Sequence, residues 1–113
     1  MAYDFQVAID STDPHTQADW WAETLGWSVE PQDADFIKKS MITQGYATEA
    51  ETTTHHGALV WASGAAIRHP STDLRVLFQT APETKTVKNR IHLDVRVGDE
   101  KREAEVERLT ARG

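Results

Sequence analysis

The sequence contains no cysteine. Disulfides, thiolate nucleophiles and Cys-based zinc or iron–sulfur sites are therefore excluded, and a reducing compartment fits the composition. It has no apolar run approaching the roughly 20 residues of a membrane span. Its opening, Met1 to Gln6, has neither the basic segment nor the apolar segment of a secretory signal. It also lacks positive charge: 12 Lys and Arg against 18 Asp and Glu leave a net charge of −6. No basic field is available for a nucleic acid backbone or an anionic membrane. The one local basic patch, Lys85, Lys88 and Arg90, reads as a solvated loop. Ser-His-Asp arrangements, glycine-rich phosphate loops and carboxylate pairs are not evident either. A soluble cytoplasmic protein is the expectation.

What is present suffices for one folded domain of 113 residues, 39% hydrophobic with four Trp, three Phe and two Tyr. Phe5 to Asp10 predicts a first strand, with Phe5, Val7 and Ile9 on one face and Gln6, Ala8 and Asp10 on the other. Asp13 and Pro14 predict a capped helix start. That helix runs to Leu25, with Ala18, Trp21, Ala22 and Leu25 on one side and Gly26 as its left-handed stop. Trp20 and Trp21 cannot both face one core, so one is expected at a boundary.

A short strand over residues 27–31 follows, then an inserted helix near 33–45 and a polar loop over 48–54. Ser63-Gly64 predicts a hairpin between strands at 58–62 and 65–69. His69-Pro70 reads as a turn, and 74–80 as the next strand. Residues 89–97 alternate strictly: Ile91, Leu93, Val95 and Val97 on one face, His92, Asp94 and Arg96 on the other. This predicts a strand with a reactive polar face, followed by a last helix from Gly98-Asp99 to Arg112. The fold class is α+β. The adjacent pair His55-His56 is not expected to bind a metal jointly, because neighbouring strand residues face opposite ways.

Two stretches carry a family resemblance. The first is Phe5-Gln6-Val7-Ala8-Ile9-Asp10 leading into Asp13-Pro14, Ala18-Asp19-Trp20-Trp21 and Leu25-Gly26-Trp27. The second is Leu77-Phe78-Gln79, Pro82, Lys85 to Arg90 and Ile91-His92-Leu93-Asp94. In this order and spacing they resemble the glyoxalase/bleomycin resistance/extradiol dioxygenase superfamily, the vicinal oxygen chelate proteins. Within it they look like a glyoxalase-like type found in actinobacteria.

The resemblance implies paired βαβββ modules curled around one cavity within a single domain, 1–113. Residues 1–83 would form the first module and 84–113 the start of a second, incomplete at its C-terminus. It implies metal ligands at Gln6, His92 and Gln79, with zinc, nickel, iron or manganese as the divalent ion. The neutral amide of Gln79 departs from the Glu common in metal-binding members. A fourth ligand would come from strands beyond Gly113, so a continuation or a partner chain, most simply a homodimer, is expected to complete the sheet.

Tyr46, Trp61 and Asp94 are the candidate substrate-binding residues. The implied function is small-molecule binding in the cavity, as a metal-dependent lyase, isomerase or dioxygenase. The alternative is non-catalytic antibiotic binding of the bleomycin-resistance type.

Overall fold

A computed structural model describes residues 2–42 and 44–113, with the side chain of Ile42 left out. Its frame is a four-stranded mixed sheet in the order β1-β6-β5-β2. β1 (Val7–Ser11) runs parallel to β6 (Arg75–Thr80), and β5 (Gly64–Arg68) runs antiparallel to both β6 and β2 (Ser28–Val29). Between β1 and β2 the chain forms α1 (Pro14–Leu25), and after β2 it forms α2 (Ala34–Ile42).

Local chemistry sets both ends of α1. The Asp13 carboxylate accepts from the Thr16 N–H at 3.3 Å and the Thr16 hydroxyl at 2.7 Å, and Pro14 follows at the position where a missing N–H costs nothing. Gly26 ends the helix at φ 70°, a left-handed conformation in which a β-carbon would be strained. Ala18 and Ala22 then lie flat on the sheet against Ala65, Ile67, Val76 and Phe78, with Val7, Ile9, Trp21, Leu25 and Trp27 around them. Small alanines let the helix approach closely, and Phe78 fills the centre at 1% exposure. Outside this cluster, Ile37 of α2, Ala47 and Val60 are also buried. The Asp33 side chain caps α2 at the N–H groups of Asp35 and Phe36.

The tryptophan expectation resolves clearly. Trp21 packs on the core, while Trp20 meets it edge-on at 5.0 Å. The last helix, α3 (Arg102–Arg112), covers Trp20 with the Arg112 guanidinium 4.9 Å from its ring. Arg108 and Arg112 also donate to the Thr24 and Trp20 carbonyls in the C-terminal half of α1.

Several expectations are corrected, the first in the hairpin region. The stretch 48–54 is not all loop: after a 3-10 turn at Glu49–Glu51 comes β3 (Thr52–His55), paired antiparallel with β4 (Ala58–Trp61) in a separate two-stranded sheet. The hairpin therefore turns at His56-Gly57, not at Ser63-Gly64. β4 and β5 belong to different sheets, and the Gln32 side chain bridges them by accepting from the Trp61 N–H and donating to the Gly64 carbonyl.

Second, His56 and Gly57 have φ of 50° and 79°, the pattern of a type I′ turn. His56 is a turn residue, so strand alternation does not separate it from His55; their rings sit 4.0 Å apart.

Third, residues 89–97 form no ladder. Among the described residues, none of the backbone hydrogen bonds outside helices and strands involves residues 82–98. Ile91 is 86% exposed, and Leu93 and Val95 are each 40% exposed. Alternation marks a segment suited to a sheet, but a strand exists only with a partner. Phe5, expected inside the first strand, precedes β1 and is likewise exposed. Among the described residues no helix is long and apolar enough to cross a membrane.

Candidate functional site: the open face of the sheet

α1 covers one face of the four-stranded sheet. Strand alternation sends every second side chain to the other face. The register places Gln6, Ala8 and Asp10 from the first strand there. Arg75, Leu77 and Gln79 come from β6, Gly64, Ala66 and Arg68 from β5, and Glu30 from just past β2. This is the face expected to line a cavity.

Its charged centre is Glu30. Arg75 clasps the carboxylate in a fork, with Nε to Oε1 at 2.7 Å and Nη2 to Oε2 at 2.9 Å. Arg68 adds Nε and Nη2 contacts to Oε1 at 2.9 and 2.8 Å. Arg68 and Arg75 are direct cross-strand partners, and two opposed cations would repel. The Glu30 carboxylate, from just past β2 beside β5, removes that conflict. The hydrogen bonds from Arg75 hold the Glu30 carboxyl down at about 2, against the opposing pull of burial and with further help from Arg68. Arg75 in turn is raised by its bond to Glu30. The three groups together carry one net positive charge. The Arg68 side chain is 52% exposed, so part of that charge faces solvent.

Gln6 joins this cluster, its side-chain oxygen accepting from Arg75 Nη1 at 3.1 Å. Gln79 lies elsewhere, opposite Asp10 and Gly64 and four positions along β6 from Arg75. At about 3.3 Å per residue that is roughly 13 Å from Gln6, too far to share an ion. The Gln6 oxygen is already committed to a guanidinium, a poor neighbour for a metal cation. His92 and Asp94 lie exposed in the unpaired segment 89–97. Gln6, Gln79 and His92 are thus not brought together, and as arranged they do not fit the divalent metal of the superfamily.

Tyr46 is 80% exposed outside this face. Trp61 is half-buried on β4, its backbone held by Gln32 and by His15, whose Nε2 donates to the Trp61 carbonyl at 2.7 Å. His69 serves its turn as expected: Nδ1 accepts from the N–H groups of Ser71 and Thr72.

Sequence reasoning missed Glu30, Arg68 and Arg75. The available signal was two arginines flanking the 69–74 turn, each adjoining an apolar run, Ile67 before the turn and Val76 after it. Their common partner, 38 residues before Arg68, had no local mark.

No curated protein and no solved structure matches the chain. One family model does, described as a glyoxalase-like domain and spanning residues 6–113, which includes the open face, the unpaired segment and α3. With an α+β fold and a mixed sheet covered on one side, the chain belongs to the glyoxalase-like domain family of the glyoxalase/bleomycin resistance/extradiol dioxygenase superfamily.

Proposed function

We propose that this protein binds a small, oxygen-rich organic anion on the open face of the sheet, and that a second copy of the chain completes the cavity. The observation that carries the binding reading is the Arg68–Glu30–Arg75 cluster, a fixed fork of guanidinium groups with one net positive charge on an otherwise acidic protein. Planar donors in fixed orientation suit carboxylates, enolates and vicinal oxygens. Gln6 and Glu30 hold Arg75 still, and the exposed Arg68 supplies the free donors. Asp10 and Gln79, at the far end of the face, orient the remainder of the ligand through hydrogen bonds.

Surface supports the second copy. The chain exposes 9067 Å², against about 6,200 Å² for a compact monomer of 12.7 kDa. Its radius of gyration is 16.6 Å, against about 13 Å for a compact chain of this length. The excess area is on the scale of an obligate interface. Segment 89–97, with Ile91 exposed and Leu93 and Val95 part-exposed, would pair with an edge strand of a partner. That would turn His92 and Asp94 toward a cavity.

The test is a thermal-shift panel of small anions, 2-oxo acids and catechol carboxylates, beside neutral dicarbonyls and glycopeptide-like antibiotics, on the 113-residue chain and on Arg68→Ala. A hit should bind the variant about 10–100-fold more weakly, the loss of one charged hydrogen bond. Equal binding by the variant would contradict the placement on this face.

A further inference from the structure

A second group of chemistry-bearing side chains lies outside the open face, where α1 meets the β3–β4 hairpin. Asp19 projects from the middle of α1. His55 ends β3, and His56 occupies the first position of the turn that follows. Both imidazoles aim Nε2 at one oxygen of Asp19: His55 at 2.6 Å and His56 at 2.7 Å. One ligand atom from each of the three residues lies within 4.8 Å of the others.

The backbone there is unusual. His56 has φ 50°, the one positive value at a non-glycine among the described residues. A left-handed residue with a β-carbon costs about 1–2 kcal/mol, and Asn or Gly is the ordinary choice at this turn position. Histidine there places a second imidazole beside the first, which an extended strand would have sent to opposite faces.

Burial grades outward. The His55 side chain is 22% exposed, Asp19 35% and His56 76%. A ligand set that is anchored on one side and open on the other leaves room for a solvent molecule or an exchangeable ligand. His15, one turn before Asp19 on α1, lies 5.2 Å ring-to-ring from His55, but its Nε2 is committed to the Trp61 carbonyl at 2.7 Å. It supports the site from behind and is not a ligand.

We propose that Asp19, His55 and His56 form a binding site for a divalent first-row transition metal ion of the zinc class, with two imidazole nitrogens, one carboxylate oxygen and an open position. Imidazole with a single carboxylate suits zinc, nickel, cobalt or iron and is a poor match for calcium or magnesium, which take oxygen cages. Ligand bonds of about 2.0–2.2 Å in tetrahedral geometry require the nitrogen–oxygen separations to open by roughly 0.7 Å. The exposed His56 and a turn of the Asp19 side chain allow that. Each imidazole offers its Nε2 lone pair once the proton resides on Nδ1.

This site is independent of the open-face reading. The two share no residue, and either can fail alone.

The experiment titrates untagged, metal-stripped protein of the full 113-residue chain with Co²⁺ and then Zn²⁺, followed by visible absorption and calorimetry. The expected result is one equivalent of Co²⁺ with four- or five-coordinate absorption, displaced by Zn²⁺, and a raised melting temperature. Asp19→Asn and His56→Gly should each weaken binding at least 100-fold, at or beyond the range for loss of a mere supporting residue. His56→Gly relieves the left-handed strain, so it should fold at least as well as the parent, and its loss of metal is not a folding defect. His92→Ala should bind as the parent does. Absence of stoichiometric binding, full binding by His56→Gly, or loss of binding in His92→Ala alone would each overturn the proposal.

Discussion

Replacing Glu30 with alanine isolates the electrostatics on which the open face depends. The substitution removes a carboxylate held by Arg75 at 2.7 and 2.9 Å and by Arg68 at 2.9 Å, and leaves two guanidinium groups directly opposed across β5 and β6. The carboxyl drops from 4.5 to about 2 on folding. At about 1.4 kcal/mol per unit this bounds the linked stability at about 3 kcal/mol. Arg68 is half-exposed, and solvent screening brings the expected contribution to about 1–2 kcal/mol.

The sign follows from the direction of the shift. A depressed carboxyl stabilises the fold fully above its unfolded value and loses that contribution as pH falls through the folded one. Urea unfolding of the parent and Glu30→Ala should therefore differ by about 1–2 kcal/mol at pH 7. The two curves should converge between pH 4.5 and 2. A double-mutant cycle with Arg75→Ala should return most of that difference as coupling. A gap that persists unchanged at pH 2, or no coupling to Arg75, would refute the reasoning.

Other substitutions probe the frame. Phe78→Ala empties the most deeply buried aromatic position, at 1% exposure, and should cost about 3–5 kcal/mol in chemical unfolding. Gly64→Ala drives a β-carbon into the Phe78 carbonyl oxygen of the neighbouring strand; a loss of about 1–3 kcal/mol by thermal melting is expected, with β5 forced off β6. Leu93→Lys places a charge on the part-exposed apolar face of segment 89–97, and sedimentation velocity should show the parent as a dimer and the variant shifted toward monomer. Identical sedimentation of the two would remove that segment from any interface.

Much of this architecture was legible in the chain itself because its determinants are local. The Asp13-Pro14 start and Gly26 stop of α1 act within one turn, so the helix ends where its caps dictate. The alternation of Gln6, Ala8 and Asp10 placed those residues on the face away from α1 before any register was known. The rest depended on distant partners. Glu30 finds Arg75 across 45 residues, through two strand pairings that no local pattern encodes. His56 looked like a strand residue because the usual mark of a type I′ turn, Asn-Gly or Asp-Gly, is absent; His-Gly was the signal available. Segment 89–97 has the side-chain pattern of a strand without a ladder, since hydrogen-bond partners are a property of neighbours rather than of the segment.

The central claim is that the open face of the sheet is the ligand surface. Amide chemical-shift mapping tests it most directly, using whichever oxo acid or other member of the thermal-shift panel raises the melting temperature. Perturbations concentrated in residues 6–10, 64–68 and 75–79 are the expected result. Perturbations confined to the α1 side of the sheet or to the outer surface of α2, or no binding by any member of the panel, would contradict it.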